Sequence, residues 1–236
     1  MNGFETHYAQ IATEYERRAR TLPEDLYDCW LPANIMLDEQ ATRSCTAALK
    51  RASLFPLRER RIADIGCGWG WWLLEFIQWG AEPARLAGID LIPERIDYAR
   101  RRLPQADLHI GGAHKLPWPD ASYDLVTQFT VFSSMLDPSL KRAVAAEMLR
   151  ILKPAGAILW FDLRVNNPAN STYRGIPAGE IRSLFKGCET RLLATVLAPP
   201  ISRRIAGWAW PLAEALYSIP FLRTHYAGLI YKKQNR

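Results

Sequence analysis

Three alternating glycines, Gly66-Cys67-Gly68-Trp69-Gly70, stand between a strand-like run and a helix-like run, and they constrain the fold more than any other feature. Before them, Arg61-Ile62-Ala63-Asp64-Ile65 reads as a buried strand carrying an acid near its end; after them, Trp71-Trp72-Leu73-Leu74-Glu75-Phe76-Ile77 reads as a helix. Glycine tolerates positive φ and lets a ligand approach the backbone. A loop in this place aims the following helix N-terminus at whatever binds there. The next apolar run, Leu86-Ala87-Gly88-Ile89-Asp90, closes on a second acid. A carboxylate ending the second strand of a βαβ unit can accept both hydroxyls of a ribose, so the pair predicts a nucleoside-cofactor site.

Two cofactors compete for such a site. A dinucleotide fingerprint, G-x-G-x-x-G/A, closes on a small residue so that pyrophosphate fits against the helix. Here the spacing is G-x-G-x-G and the bulky Trp71 follows. Asp64 would meet a pyrophosphate with like charge but suits a ligand bearing an ammonium group. S-adenosylmethionine has that ammonium and a ribose, and no phosphate. Asp64-x-Gly66-x-Gly68-x-Gly70 followed by Asp90 resembles the first two motifs of the class I methyltransferases, in their small-molecule type 11 branch. Two alternatives stand beside this reading: a nicotinamide-dependent oxidoreductase, and a non-catalytic module that binds S-adenosylmethionine without transferring its methyl.

From Arg61 onward strand and helix patterns alternate. Strands are expected at 62–65, 86–90, 108–110, 123–129 and 157–163, with helices at 69–79, 93–103 and 137–152 between them. Lys153-Pro154-Ala155-Gly156 is expected as a turn. Such alternation implies a doubly wound parallel sheet with ligands at the carboxyl ends of its strands. The resemblance implies more: a mostly parallel seven-stranded, Rossmann-like methyltransferase sheet ending in an antiparallel hairpin, for which 189–197 and 226–232 supply strands. Residues 1–60 read as an N-terminal helical cap with a bend near Pro23, Trp30 and Pro32, and 61–236 as the core. Within the core, 199–223 is expected to be an insertion or lid, with Ile205, Trp208, Leu212 and Ile219 on one helical face.

The resemblance extends to further site residues. Gly111-Gly112-Ala113-His114-Lys115-Leu116-Pro117 matches the stretch that wraps the adenine in this family, where an Asp usually stands in place of Gly112. Ala113 and His114 backbone groups, or a water, must then replace that carboxylate. Gln128, Phe129 and Thr130 end the fourth strand, where the family sets residues beside the methionine arm. The cofactor set is therefore Asp64, Gly66, Cys67, Gly68, Gly70, Asp90, Leu91, Gly112, Ala113, His114, Gln128 and Phe129. Tyr8 and Tyr15, seven apart on one helical face, correspond to tyrosines that in this family fold over cofactor and acceptor.

Methyl transfer is an in-line displacement that depends chiefly on alignment, although a hydroxyl acceptor also needs a base. Asp162-Leu163-Arg164-Val165-Asn166-Asn167 leaves the fifth strand at its carboxyl end, so Asp162 and Arg164 are catalytic candidates and Asn166 and Asn167 acceptor contacts. His225 is the first histidine candidate for the base, followed by His114 and His7, and Trp208 of the insertion is a further acceptor contact.

Composition excludes little but points consistently. A net charge of +6 comes from scattered arginines without an RNA-binding signature, so nucleic acid is not the expected partner. A small-molecule, glycan- or lipid-linked acceptor, with peripheral membrane contact, is. Cys29, Cys45, Cys67 and Cys188 form no C-x-x-C pair, which argues against zinc and disulfides, and no metal is expected. The polar Met1–Gln10 segment predicts no signal peptide, and the apolar stretch 208–222 is broken by Pro211, Glu214 and Pro220. A cytoplasmic protein is expected, its oligomeric state left open.

Overall fold

A computed structural model describes residues 3–166 and 172–233 of the 236-residue chain. Its centre is a seven-stranded sheet in the order β3-β2-β1-β4-β5-β7-β6. Strands β1 (Ile62–Ile65), β2 (Leu86–Asp90), β3 (Asp107–Ile110), β4 (Tyr123–Phe129) and β5 (Leu152–Leu163) pair in parallel, and β7 (Arg223–Lys232) runs antiparallel to both β5 and β6 (Cys188–Leu197). Strands β1, β2 and β4 are buried along nearly their whole length, as parallel strands covered on both faces must be. On β5 the alternation is plain: Leu159 and Phe161 enter one core cluster, and Ile158 and Trp160 the other.

Helices cover both faces. On the first lie α2 (Pro32–Arg51), α3 (Trp71–Gln78) and α4 (Pro93–Arg102), contributing Cys45, Leu49, Phe76, Ile96 and Ala99. On the second lie α5 (Pro138–Ile151) and α6 (Ala178–Leu184), through Val144, Met148 and Ile181. The N-terminal helix α1 (Gly3–Thr21) adds Phe4, Tyr8 and Ile11 at the edge of that second cluster. Thus α2 is built into a sheet face while α1 lies over the site.

Two local expectations differ from the structure. The segment 153–156 continues β5 rather than turning before it, because Leu152 already pairs with Tyr123 and the register then shifts before Leu125 meets Ala157. The 199–223 segment is two short helices, α7 (Pro199–Ile205) and α8 (Trp210–Tyr217), so no single helical face joins Ile205 to Ile219. Pro211 sits at the start of α8, where its missing N–H is tolerated. Both helices close on α2 through a small third cluster of Met36, Leu197, Ala206 and Ala213. Trp210 and Tyr217 pack against it, whereas Trp208 and Phe221 are 76% and 80% exposed.

Candidate functional site

The carboxyl ends of β1, β2 and β4 open into a cleft of about 560 Å³ roofed by α1. Its floor begins with the glycine loop. The amides of Gly66 and Cys67 both donate to the Ile89 carbonyl, at 2.8 and 3.0 Å, which ties the loop to β2. All three glycines have positive φ, but their surroundings differ. A Cβ on Gly66 would stand 2.5 Å from Val131 Cγ2, and one on Gly70 3.1 Å from Leu103 Cδ1. Gly68 has no atom within 4 Å of that position. Gly66 and Gly70 are therefore held by packing, while Gly68 leaves its backbone bare.

The two acids bracket this loop. Asp64 is buried, accepts 2.6 Å from Thr127 Oγ1, and is pushed up to about 7 by burial, against the Thr127 hydrogen bond and with the neighbouring Asp90 charge adding to the rise. Asp90 lines the cleft, its Oδ2 accepting from the Gly68 amide at 2.9 Å and its Oδ1 from the Ile92 amide at 3.0 Å. A buried carboxylate with one hydroxyl partner fits an ammonium group, and a cleft-lining carboxylate beside bare backbone fits a ribose. A pyrophosphate would add like charge to both. The donor set therefore suits S-adenosylmethionine.

Beyond Asp90 the cleft runs over Leu91 to Gly111 and Ala113. Tyr8 of α1 closes this end: the His114 amide donates to Tyr8 Oη at 3.0 Å, and His114 Nδ1 lies at the same distance. Gly112 lies beneath the Tyr8 ring. At the opposite end Phe129, Thr130 and Val131 form the wall. Gln128 is buried behind them, its Oε1 accepting from the Val131 amide at 3.1 Å. Thr130 takes a left-handed φ of 55°, uncommon for a non-glycine residue, and Phe129 stacks on Trp72 with centroids 3.7 Å apart. Cys67 is buried against β2, where a Cβ on Gly88 would meet its Sγ at 2.7 Å.

A second, larger cleft of about 940 Å³ shares Ile11, Tyr15 and Ser134 with the first. His7 lines it and lies 3.5 Å from Asp137. Asp137 also caps α5, accepting from the Leu140 amide at 2.6 Å. Hydrogen bonds from Ser139 and Leu140 hold its carboxyl below the usual range.

The remaining sequence candidates lie elsewhere. Asp162 is buried and accepts from the amides of Phe132 and Ser133 at 2.9 and 3.2 Å, and burial pushes it up to about 6. His225 is buried, stacked on Phe161 with centroids 5.0 Å apart, and pushed down to about 4 by that burial. Arg164 donates to the carbonyls of Pro220 and Arg223 at 3.2 and 3.3 Å. Asn166 Oδ1 accepts from the Gly175 amide at 3.0 Å, and Asn167 lies outside the described residues. None of Asp162, His225, Arg164, Asn166 or Trp208 lines either cleft.

Sequence reasoning missed Arg95, whose guanidinium lies 4.3 Å from the Tyr15 ring centre, and Met135, both lining the first cleft. Arg95 sits in the first turn of α4 just after Pro93, so its distance from Asp90 along the chain was the available signal. Among the described residues no three His, Cys, Asp or Glu side chains gather as a metal site, and no helix is long and apolar enough to cross a membrane.

Residues 62–156 match the model of the methyltransferase domain family. The demethylmenaquinone methyltransferase of Deinococcus radiodurans is 30% identical over 186 residues, covering 73% of this chain and 71% of that protein. Phthiotriol/phenolphthiotriol dimycocerosates methyltransferase 1 of Mycobacterium ulcerans is 31% identical over 137 residues, covering 57% of this chain and 49% of that one. The chain thus spans about half the length of several curated relatives it matches, from 41% to 49%. A S-adenosylmethionine-dependent methyltransferase from Archaeoglobus fulgidus has the same fold, with a TM-score of 0.58 at 18% identity, covering 81% of this chain and 94% of that chain.

Proposed function

This chain belongs to the class I S-adenosylmethionine-dependent methyltransferases, and from that premise we propose that it transfers the donor's methyl group to a small-molecule, glycan- or lipid-linked acceptor by O- or N-methylation. The observation that carries the reading is Asp64, a buried acid with a single hydroxyl partner on the strand that runs into the glycine loop. It fits the ammonium of the methionine arm, Asp90 fits the ribose hydroxyls, and the Phe129–Val131 wall fits the methionine arm itself. When bound, the donor supplies a methyl on a positively charged sulfur that departs as a neutral thioether.

The chain's own residues align and deprotonate. The acceptor occupies the second cleft, which meets the first at Ile11, Tyr15 and Ser134. Of the histidine candidates, His7 is the one that lines this cleft with a carboxylate, Asp137, beside it. For a hydroxyl acceptor, His7 takes the proton as the oxygen attacks, and Asp137 offsets the positive charge that His7 acquires. Asp162 acts as a positioning residue, holding the Phe132–Ser134 turn that carries Ser134 into both clefts. His225 stays uncharged and supports Phe161. Relatives named for demethylmenaquinone and for phthiotriol dimycocerosates lean the acceptor toward the lipid-linked class. The exposed Trp208 and Phe221, with the exposed Arg203 and Arg204, fit contact with an anionic membrane that delivers such an acceptor.

Three measurements test this. Calorimetry should detect S-adenosylhomocysteine binding and no NADH binding; the reverse would move the chain to the oxidoreductases. A panel of hydroxyl and amine acceptors incubated with radiolabelled donor should identify the acceptor. With a hydroxyl acceptor, His7→Gln should lower kcat while S-adenosylhomocysteine affinity holds.

A further inference from the structure

The turn after β3 is built around a side chain from the far end of the sequence. Asp90 pairs with Ile110 across the β2–β3 ladder, and the Gly111 amide donates to the Asp90 carbonyl at 2.9 Å. A nucleoside whose ribose sits on Asp90 therefore extends its base over Gly111–His114. That turn offers the base little from its own side chains: Gly111, Gly112 and Ala113 have no polar group, and the Gly112 carbonyl already accepts from the Lys115 amide at 3.3 Å. The side-chain oxygen that reaches it is Tyr8 Oη.

Gly112 is glycine for the sake of that tyrosine. Its backbone does not adopt a left-handed φ, so no conformational reason requires glycine there. A Cβ at this position would stand 2.4 Å from Tyr8 Cε2, 2.8 Å from Tyr8 Cζ and 2.9 Å from His114 Nδ1. The Tyr8 ring cannot simply swing aside, since its hydroxyl is held by His114 and its ring lies 5.2 Å from the His114 ring. Phe4, one helical turn earlier, packs edge-on with the same imidazole at 5.2 Å. Position 112 and Tyr8 thus compete for one volume, and this chain gives it to Tyr8.

We propose that Tyr8 reads the base of the methyl donor, its hydroxyl accepting a hydrogen bond from the exocyclic amino group of adenine. The inference rests on the S-adenosylmethionine reading above. A phenol has one proton and two lone pairs. One lone pair is taken by the His114 amide, and the proton goes to His114 Nδ1 when the imidazole carries its own proton on Nε2. The second lone pair is then free for a donor, which a 6-amino purine supplies and a 6-oxo purine does not. Burial pushes the Tyr8 hydroxyl up to about 12, which keeps it protonated at neutral pH. An oxo group in that place would set lone pair against lone pair.

Calorimetry on the full chain with S-adenosylhomocysteine and S-inosylhomocysteine tests this. The wild type should prefer the adenosyl ligand by about tenfold, the order of one buried hydrogen bond. Tyr8→Phe keeps the ring and loses the oxygen, and should erase most of that preference. Gly112→Asp should weaken adenosyl binding by expelling the ring. Tyr8→Ala combined with Gly112→Asp should bind the adenosyl ligand more tightly than Gly112→Asp alone, because a carboxylate then occupies vacated volume and accepts the same amino group. Tyr8→Phe with unchanged affinity and unchanged preference would overturn the role of Tyr8. Equal wild-type affinity for the two ligands would overturn it as well. If the wild type bound neither ligand, the donor reading itself would fall, which separates the two failures.

Discussion

Asp64 Oδ1 accepts a 2.6 Å hydrogen bond from Thr127 Oγ1, its direct neighbour across the β1–β4 ladder, with both side chains sealed from solvent. One hydroxyl does not offset the burial of a carboxylate. Asp90 adds a like charge from the end of β2. The centre of the sheet therefore carries an acid whose charge is unfavourable in the free protein.

The first prediction concerns pH. Burial raises Asp64 from near 3.8 to about 7 in the free protein. Between those values the folded chain holds a proton that the unfolded chain has released, so this group's contribution to stability falls as pH rises from about 4 to 7. Asp64→Asn should therefore melt higher than wild type at pH 8, with the gap closing toward pH 5. Binding of an ammonium requires the ionised acid, so wild-type affinity for S-adenosylhomocysteine should rise from pH 5.5 to 8 with proton release. Calorimetry in buffers of differing ionisation enthalpy measures that release; none between pH 6 and 7 would contradict the assignment.

A second prediction addresses Asp90. Replacing it with Ala removes the acceptor for the Gly68 and Ile92 amides and, on the proposed reading, for the ribose hydroxyls. S-adenosylhomocysteine binding should weaken by roughly 2–4 kcal/mol, as expected for lost charge-assisted hydrogen bonds. Wild-type affinity in this variant would place the nucleoside elsewhere.

The glycine loop separates stability from binding. Gly66→Ala would drive a methyl toward Val131 Cγ2, 2.5 Å from the new Cβ, and should lower the melting temperature. Gly68→Val meets no protein atom, so the fold bears only left-handed strain of about 1–2 kcal/mol, yet the methyls fill the surface that the ligand needs. Circular dichroism should stay native while binding disappears. Normal affinity in Gly68→Val would show that no ligand approaches this backbone.

The α7–α8 segment offers a fourth test. Met36 of α2 is fully buried in the cluster that both helices share, so Met36→Ala should cost about 2–5 kcal/mol and speed amide exchange across residues 199–217. Arg203→Ala with Arg204→Ala, both exposed, should leave that protection and cofactor affinity alone. The pair should raise KM for a membrane-delivered acceptor and reduce sedimentation with anionic vesicles. Unchanged KM and unchanged sedimentation would remove the membrane from the account.

The sequence by itself determined what depends on neighbours along the chain. The strand–glycine loop–helix unit, the acids at 64 and 90, and the spans of β1, β2 and β4 were legible because burial on both faces and positive φ leave marks within a few residues. What joins distant segments was not. Tyr8 and His114 are 106 positions apart, and Gly112 reads only as a departure from a familiar pattern until the ring above it is seen. His225 reads as the first histidine candidate for the base, yet it is buried and stacked on Phe161, while His7 gains its carboxylate from the cap of α5. Ile205, Trp208, Leu212 and Ile219 read as one helical face, but the segment folds as two helices that close on Met36, and Trp208 between them is exposed. Only the tertiary structure decided these points, because competition for one volume and pairing of charge are set by approach in space, which no local pattern encodes.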